Sequence, residues 1–280
     1  MSALLTLPSL FVTIATPIMK ALWTEQFTVR TWDVDRNNRL SPASLFNFFQ
    51  EVAGNHATDL GVGKDALLRD NLAWILSRTT ALMYRRPGWG ETITVRTWPR
   101  GTEKLFAIRD YDIIDGFGST IAQGRSAWLL VDLEKLRPLR PQNLTENLPT
   151  NAEMPAIQDG VGALLQRKDM QAAGTRKAAY SDIDYNGHVN NARYIQWIQD
   201  ILDESILDEA NRFRLDINYL AEIRPQETIS LWKAPLANQN DETDQIAPFT
   251  PFEVTDLWAF EGRHIDSGQS SFRAELRCGA

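Results

Sequence analysis

The chain has 280 residues, of which 43% are hydrophobic and 23% are charged, and this composition excludes wholesale disorder. Its length predicts one large or two small domains. The net charge of -7 argues against a nucleic-acid-binding protein, which needs a basic surface. The single cysteine, Cys278, excludes a disulfide framework and a multi-cysteine zinc site. Because the three histidines are also far apart in sequence, we expect no metal site.

The N-terminal segment has no charged residue before Lys20. A secretory signal needs positive charge ahead of its apolar stretch, and this run is too short and too interrupted by proline to span a bilayer. We expect residues 1–20 to form a disordered leader, with a targeting segment or a peripheral contact as the alternatives. No other segment is long and apolar enough to predict a membrane span.

The sequence repeats itself once. Residues 33–37 read Asp-Val-Asp-Arg-Asn, and residues 182–186, which lie 149 positions later, read Asp-Ile-Asp-Tyr-Asn. Further along, Arg86-Pro87 matches Arg224-Pro225 at a spacing of 138, so the second copy has shorter connections. A single repeat of this length indicates a duplicated domain rather than a solenoid.

Each copy is predicted to contain a short strand, a turn, one helix and then a run of strands. Ser41-Pro42 is a typical N-cap followed by proline at the first helical position, and Asn190 takes the N-cap position in the second copy. The first helix is expected to end near Gly61. The predicted strands that follow the helices are 72–83, 91–98, 106–114 and 120–131 in the first copy, and 214–223, 228–232, 255–260 and 271–277 in the second. One helix packed on an antiparallel sheet, an α+β unit, is therefore the predicted fold of each copy.

Two matched positions differ between the copies in a way that bears on chemistry. Arg39 of the first copy corresponds to His188 of the second, and Tyr84 corresponds to Glu222, which we expect on a strand. Only the second copy therefore carries an imidazole and a carboxylate that could perform acid–base chemistry at these positions.

The turn that contains Asp184 and Asn186 has three competing interpretations. In the structural one, the Asp and Asn side chains hydrogen-bond to their own backbone, as the retained first copy suggests. A calcium loop fails because its twelfth position, which should be glutamate, is Arg193. In the catalytic interpretation, Asp184 and Asn186 hold a polar network while His188 presents its imidazole beside the free N–H groups of a helix. The residues alone leave the structural and the catalytic interpretations open.

Residues 182–197 read Asp-Ile-Asp-Tyr-Asn-Gly-His-Val-Asn-Asn-Ala-Arg-Tyr-Ile-Gln-Trp, and this segment resembles the second-half signature of the acyl-ACP thioesterases of plants and bacteria. Residues 50–56 resemble the first helix of that family, and residues 74–78 resemble its following strand. The resemblance extends from about Thr24 to the C-terminus. It implies a tandem (double) hotdog fold, in which each half is a curved antiparallel sheet wrapped around one long helix.

The resemblance also implies a division of labour along the chain. Residues 21–137 would form an N-terminal hotdog that binds the acyl chain, 138–174 a linker with one short helix, and 175–280 a C-terminal catalytic hotdog in which 237–251 is a loose loop. The implied activity is hydrolysis of the thioester of fatty acyl-acyl carrier protein. The implied catalytic residues are Asp184, Asn186, His188 and Glu222. The candidates for substrate binding are Phe48, Phe49, Val52 and Trp74 in the first half and Asn190 and Asn191 in the second.

The nucleophile departs from one pattern of the family. Many plant members have cysteine where this chain has Ile223, so a covalent acyl-cysteine route is not available at that position. We expect water to attack, with Glu222 as the base, buried beside an apolar tunnel, and with His188 sharing or orienting the proton. The acyl carrier protein is the implied partner, and its candidate docking residues are Arg85, Arg86, Arg137 and Arg140.

The resemblance implies no cofactor and leaves a homodimer open. It predicts a cytoplasmic location in a bacterium, or a plastid location if the source is a plant. Three rival functions stay open: a hotdog acyl-CoA thioesterase, a hotdog dehydratase, and a non-catalytic duplicated acyl-binding module.

Overall fold

The computed structural model describes residues 20–160, 162–236 and 250–279. The leader expected at residues 1–20 and the loop expected at residues 237–251 therefore lie almost entirely outside the described residues. No helix in the described part of the chain is long and apolar enough to cross a membrane.

Both halves follow the predicted order of a strand, a turn, a helix and further strands. The first half contains β1 (Trp23–Thr28), α1 (Pro42–Asp59), α2 (Lys64–Leu68), β2 (Leu72–Met83), β3 (Thr92–Glu103), β4 (Phe106–Asp115) and β5 (Thr120–Asp132). The connecting segment carries β6 (Arg137–Leu139) and α3 (Gln142–Thr145). The second half contains β7 (Gln171–Lys177), α4 (Asn191–Ile201), α5 (Glu204–Glu209), β8 (Arg212–Tyr219), β9 (Thr228–Pro235), β10 (Asp256–His264) and β11 (Ser270–Gly279).

The strand predicted over residues 214–223 is shorter than expected. It ends at Tyr219, so Glu222 does not lie on a strand but on the connection between β8 and β9. Pro225 follows three residues later, and a proline cannot donate to a strand ladder. The other strands agree with the prediction to within a few residues at each end, and β2 agrees at both ends.

All strands join into one antiparallel sheet with the order β1-β3-β4-β5-β2-β8-β11-β10-β9-β7, and β6 pairs with β5. Read from the two edges inward, the order is the same in both halves, because β1, β3, β4, β5 and β2 correspond to β7, β9, β10, β11 and β8. The halves meet where β2 pairs with β8, and within this pairing Thr79 faces Ile217. These two residues are 138 positions apart, the same spacing that relates Arg86 to Arg224 in the repeat. A pseudo-twofold axis therefore passes between them, as expected for two hotdog units in tandem.

The long helix α1 begins where the sequence predicts. The N–H of Ser44 donates to the hydroxyl oxygen of Ser41 at 3.1 Å, and Pro42 is the first helical residue. The apolar face of α1 is buried in the core, and α1 also packs against α4 of the second half. Burying one large apolar side chain contributes about 1.5–3 kcal/mol, so the core holds each helix on its half of the sheet.

The connecting segment crosses the face of the sheet opposite the helices. The N–H of Ala156 donates to the Asp110 carboxylate at 2.8 Å, and the Asp159 carboxylate lies 2.7 Å from the Arg214 guanidinium. Successive side chains of a strand point to opposite faces, so Arg214 lies on the far side of the sheet from the core residue Leu215. The connecting segment therefore binds to both halves on this face, through Asp110 in the first and Arg214 in the second.

Asp216 is the acceptor at the centre of this network, and replacing it with alanine is expected to destabilise the protein by about 3–5 kcal/mol. The Asp216 carboxylate lies 2.8 Å from Arg214 and 3.1 Å from Arg277, and it accepts the Thr80 hydroxyl at 2.5 Å. Its loss removes one carboxylate partner from each of two buried guanidinium groups, Arg214 and Arg277, which then rely on Asp159 and Glu275 respectively. Urea unfolding measures the change. The control is Arg36→Ala, which removes two surface ion pairs, with Glu204 and Asp208, each expected to contribute less than about 1 kcal/mol to stability. Equal effects of the two substitutions would contradict the assignment.

Candidate active site

The two Asp-x-Asp-x-Asn motifs fold into the same backbone turn. We call residues 33–41 the first turn and residues 182–190 the second turn. In the first turn, the Asp35 N–H donates to the Arg39 carbonyl at 2.8 Å, and the Asn37 N–H donates to the Asp35 carboxylate at 2.9 Å. The aspartate therefore caps its own turn, as the structural interpretation predicts.

The second turn repeats both hydrogen bonds. The Asp184 N–H donates to the His188 carbonyl at 2.9 Å, and the Asn186 N–H donates to the Asp184 carboxylate at 2.8 Å. The side-chain amide of Asn186 donates to the same carboxylate at 3.3 Å. Asp184 and Asn186 thus stabilise a turn that both halves need, and the chemical difference between the halves lies in other residues.

His188 and Glu222 lie together beside the second turn. The Val189 N–H donates to the Ile223 carbonyl at 2.9 Å, which ties the turn to the connection after β8. As a result, His188 Nε2 lies 3.0 Å from Glu222 Oε2. An ionised carboxylate only accepts hydrogen bonds, so a proton carried on Nε2 would face this acceptor.

This pair is open to solvent. The side chain of His188 is 35% exposed and that of Glu222 is 45% exposed. The expectation that Glu222 is buried beside an apolar tunnel is therefore wrong, because the connection that carries it runs along the surface. Water can reach the carboxylate directly, as a base for water attack requires.

The matched positions of the first half hold other groups in other contacts. The Tyr84 hydroxyl donates to the Gln123 side chain at 2.5 Å, and the Arg39 guanidinium donates to the Leu207 carbonyl at 3.0 Å. Neither group is placed to take a proton from water, since arginine stays protonated and the tyrosine hydroxyl is a donor here.

The first turn is also covered by the other half of the chain. Asp208, on α5, pairs with Arg36 and accepts the Asn37 side-chain amide at 2.6 Å. The matching helix of the first half, α2, contacts the second turn through Lys64. Among the described residues this is the one polar side-chain contact from α2 to that turn. Lys64 Nζ lies 3.2 Å from the Tyr185 carbonyl and 4.0 Å from the centre of the Tyr185 ring. The first turn therefore carries an acidic contact from the other half of the chain and the second a basic one, while the central residues of both turns, 36–38 and 185–187, are exposed.

The N-terminus of α1 offers no hydrogen-bond donor to a ligand. Its first residue, Pro42, has no N–H. The N–H of Ala43 donates to the side chain of Gln199 in α4 at 3.1 Å, and that of Ser44 donates to Ser41. At the first three residues of this helix, the backbone N–H is thus either absent or already donated within the protein.

The N-terminus of α4 differs at its first residue. The N–H groups of Ala192 and Arg193 donate to the side chain and to the backbone carbonyl of Asn190, each at 2.9 Å. The N–H of Asn191, which corresponds to Pro42 in the repeat, has no hydrogen-bond partner among the described residues. A helix N-terminus carries partial positive charge, so this N–H can donate to a developing oxyanion close to His188.

Three of the substrate-binding candidates of the first half lie in one interior cluster. The ring of Phe49 stacks on Tyr111 with the ring centres 4.5 Å apart, and that of Phe48 lies 5.0 Å from Phe27. Val52 is fully buried on the same helix. All three side chains thus belong to the buried hydrophobic core.

The other substrate-binding candidates lie at separate places. The Trp74 indole N–H donates to the Val62 carbonyl at 3.1 Å, beyond the C-terminal end of α1. The Asn190 side chain caps α4, and the backbone carbonyl of Asn191 accepts the Tyr219 hydroxyl at 3.2 Å. Asn190 and Asn191 thus shape the helix end through its backbone hydrogen bonds.

Two other reactive side chains are buried away from the second turn. Cys278 is 1% exposed, and burial raises the pKa of its thiol to about 12. His56 is fully buried, and burial together with the neighbouring Arg109 guanidinium lowers its pKa to about 4. Neither group is therefore available as a nucleophile or a base at neutral pH.

One of the docking candidates is contradicted by the structure. Arg86 is buried and pairs with Asp35 at 2.6 Å, so it is not a surface residue. Arg85 forms salt bridges with two carboxylates, which offset its charge. Arg137 and Arg140 are exposed and stay candidates.

Comparison with known proteins shows where the chain belongs. The family model described as the acyl-ACP thioesterase N-terminal domain matches residues 20–147, and that of the acyl-ACP thioesterase C-terminal domain matches residues 166–255. The chain belongs to the acyl-ACP thioesterase family. Together the two matches include α1, α4, both turns and the connection that carries Glu222.

The chain is similar to curated chloroplastic proteins of plants. A chloroplastic acyl-[acyl-carrier-protein] hydrolase of Cuphea viscosissima is 26% identical over 212 residues, which are 71% of this chain and 51% of that protein. An oleoyl-acyl carrier protein thioesterase of Arabidopsis thaliana is 24% identical over 230 residues, 73% of this chain and 61% of that protein. The chain thus spans about half to three fifths of the length of these relatives.

Solved structures confirm the tandem hotdog fold of the chain. An acyl-ACP thioesterase from Bacteroides thetaiotaomicron superposes with a TM-score of 0.77 at 27% identity, covering 92% of this chain and 98% of that one. A 12:0-ACP thioesterase from Umbellularia californica shares the fold with a TM-score of 0.71 at 19% identity, covering 93% and 94% of the two chains.

Proposed function

We propose that this chain hydrolyses the thioester of fatty acyl-acyl carrier protein and releases free fatty acid and holo-acyl carrier protein. The observation that carries the proposal is the contact of 3.0 Å between His188 and Glu222, which has no equivalent in the first half. Membership of the acyl-ACP thioesterase family supports this class of substrate. The second half would then catalyse, and the first would hold most of the acyl chain.

The chemistry follows from the groups around the second turn. The thioester carbonyl oxygen would accept the free N–H of Asn191, which stabilises the negative charge of the tetrahedral intermediate. Glu222 takes a proton from the attacking water as the new C–O bond forms. The C–S bond then breaks, and the sulfur leaves as a thiol with a proton returned from the pair of Glu222 and His188. Asp184 and Asn186 hold the turn that positions the imidazole.

The acyl chain would bind by burial of its methylene groups in the first half. Each buried methylene contributes about 0.8 kcal/mol, and Phe48, Phe49 and Val52 belong to the buried apolar core around α1. Because these side chains pack against one another, they have to separate when a chain enters.

The carrier protein would approach with its acidic surface toward exposed cations. Arg137 and Arg140 are our remaining docking candidates, and raised salt should then slow hydrolysis of acyl-ACP more than that of acyl-CoA. In a bacterial source we propose the cytoplasm as the location, and the homodimer stays open.

A thiol-release assay over acyl-ACPs of graded chain length tests the function. We expect release of holo-carrier protein and free fatty acid in equal amounts. Faster release from acyl-CoA would favour the acyl-CoA thioesterase. Loss of water from a 3-hydroxyacyl thioester with the thioester intact would favour a dehydratase, and binding of acyl chains without thiol release would favour a binding module.

Enlarging Ala53 is expected to shorten the preferred acyl chain. Ala53 lies on α1 next to Val52 and is 5% exposed, so Ala53→Leu adds volume to the interior at a cost of about 1–3 kcal/mol. The relative kcat/KM over acyl-ACPs of graded length measures the shift. Gly54→Ala is the control, since a Cβ there meets no atom within 4 Å. An unchanged length profile for Ala53→Leu would place the chain elsewhere.

A further inference from the structure

A row of polar side chains crosses the inner face of the sheet in the first half. Thr79 of β2 faces Ser126 of β5, and Ser126 faces Arg109 of β4. Residues directly opposite each other on neighbouring strands share a face, and Tyr111, two positions after Arg109, stacks on Phe49 of α1. The row therefore lies on the face that packs against α1, in the half to which we assign the acyl chain.

The repeat shows that the fold does not require this row. Counted outward from the pairing of Thr79 with Ile217, the matching positions of the second half are Ala274 of β11 and Phe260 of β10. Ile217, Ala274 and Phe260 are hydrophobic and at most 2% exposed. Arg109 thus occupies the position at which the second half has Phe260, and its charge serves something other than the shared fold.

The guanidinium of Arg109 is held on one side. Its Nη1 lies 3.0 Å from His56 Nδ1 and donates to the Thr97 hydroxyl oxygen at 3.2 Å. His56 and Thr97 are both fully buried, so this end of the side chain lies in the interior. Both partners are uncharged at neutral pH, since burial lowers the pKa of His56 to about 4. Among the described residues, Arg109 forms no ion pair with a carboxylate, and its Nε and Nη2 have no hydrogen-bond partner.

Other arginines of the sheet show what the edge formed by Nε and Nη2 binds. Arg125 of β5 donates through these two nitrogens to the two oxygens of Asp110 at 2.6 and 2.8 Å. Arg214 of β8 makes the same bidentate contact with Asp216 at 2.8 and 2.9 Å. This planar edge matches a carboxylate. Burial lowers the pKa of Arg109, because a cation among neutral groups costs free energy. The unpaired edge is therefore complementary to a carboxylate that a ligand brings.

The row leads from the candidate active site to Arg109. The Tyr219 hydroxyl, at the end of β8, donates to the carbonyl of Asn191, whose N–H is the oxyanion donor of the proposed function. The strand order β8-β2-β5-β4 places Arg109 three strands away from β8, which is about 14 Å at the usual spacing between strands. A chain that starts at Asn191 and crosses the sheet beneath α1 would therefore end at Arg109.

We propose that Arg109 binds the carboxylate of a chain that fills the first half. Nε and Nη2 donate to its two oxygens, while Nη1 keeps its contacts with His56 and Thr97. Two sources offer this group. One is the far end of a dicarboxylic acyl chain bound as its monothioester, and for this source the inference rests on the proposed function. The other is a free fatty acid that enters with its carboxylate toward Arg109.

Matched pairs of acyl-ACPs test the first source in the full-length protein. The two substrates of a pair have the same number of carbons, and the chain ends in a methyl group in one and in a carboxylate in the other. At the length that reaches Arg109, wild type is expected to have the higher kcat/KM for the carboxylate. Arg109→Met should lower the ratio of the two kcat/KM values about ten- to hundredfold, the value of a charge-assisted bidentate contact. The change should lie in KM, and kcat should stay within about twofold.

Direct binding tests the second source without turnover. In isothermal titration, a free fatty acid of the same length should bind wild type about ten- to hundredfold more tightly than it binds Arg109→Met. Its methyl ester, which has no anion, should bind both proteins alike. Arg109→Lys keeps the charge but loses the planar edge, so it should fall between them. Arg96→Met is the control and should change none of these values, because Arg96 pairs with Asp112 on the opposite face of the sheet.

The outcomes separate this inference from the proposed function. A preference for the carboxylate that depends on Arg109, in either assay, supports the site and identifies its source. If wild type hydrolyses acyl-ACP but shows this preference in neither assay, the site is overturned and the proposed function stands. Equal weakening of methyl-ended and carboxylate-ended ligands by Arg109→Met also overturns the site, because it indicates a structural role. If wild type hydrolyses no thioester but binds the fatty acid through Arg109, the proposed function is wrong and the carboxylate site stands.

Discussion

Glu222→Gln is expected to lower kcat for acyl-ACP hydrolysis by about 10²–10⁴-fold, the usual contribution of general acid–base catalysis. Glutamine keeps the size of the side chain and still presents an oxygen to His188 Nε2, but it cannot take a proton from water. Because Glu222 is 45% exposed, the substitution should cost little stability. Initial rates of thiol release at saturating acyl-ACP measure kcat, and KM should change little.

The control for this prediction is Cys278→Ala. The thiol is buried in β11 with a raised pKa, so its removal should leave kcat unchanged. Mass spectrometry of enzyme quenched during turnover should find no acyl group on Cys278 or Ser181. A trapped acyl-enzyme, or a near-normal kcat for Glu222→Gln, would contradict direct attack by water.

Asn191→Pro is expected to lower kcat by about 10²–10³-fold, the usual cost of removing one oxyanion donor. The substitution removes the free N–H at the first position of α4, where proline suits a helix. Pro42 already occupies the corresponding position of α1. The preceding residue, Asn190, has φ -59° and ψ 139°, a conformation compatible with a following proline. The fold should therefore be retained, which circular dichroism and thermal unfolding can check.

The matched variant for this prediction is Asn191→Ala. It removes the side chain but keeps the N–H, so kcat should stay within a few-fold of wild type. Equal losses in the two variants would assign the effect to the side chain of Asn191. An unchanged kcat for Asn191→Pro would remove this N–H from the mechanism.

The local parts of the fold could be predicted from the sequence. The caps of α1 and α4 depend on Ser41 and Asn190, whose hydrogen bonds span two or three residues. The bounds of β2 follow from a run of strand-forming residues between a turn and a proline. His188 and Glu222 could also be predicted as candidates, because the first copy of the repeat has Arg39 and Tyr84 at the matched positions and so shows which residues the fold alone does not require.

The long-range parts of the fold could not be predicted in this way. Asp208 reaches Asn37 across 171 residues, and no local pattern indicates that α5 covers the first turn. The burial of Arg86 depends on Asp35, which is 51 residues away in sequence. The exposure of Glu222 likewise depends on where β8 ends.

One feature of the site was visible in the sequence and was missed. Pro42 stands at the repeat position of Asn191, and only one of these two residues has an N–H. The sequence comparison considered side chains, whereas this difference is the presence of a backbone N–H at Asn191 and its absence at Pro42. The contact of Lys64 with Tyr185, by contrast, joins two halves of the chain and has no signal in the sequence.

The central claim is that the second half alone catalyses thioester hydrolysis, and a matched pair of substitutions tests it most directly. His188→Ala and Arg39→Ala alter the same repeat position in the two halves, and thiol release from one acyl-ACP at saturating concentration gives kcat for both. We expect His188→Ala to lower kcat by at least about 100-fold, which is in the range that general acid–base catalysis contributes. Arg39→Ala should lose stability, because Arg39 binds α5, but should keep kcat within about threefold below its unfolding temperature. A comparable loss of kcat in both variants would contradict the assignment of catalysis to the second half.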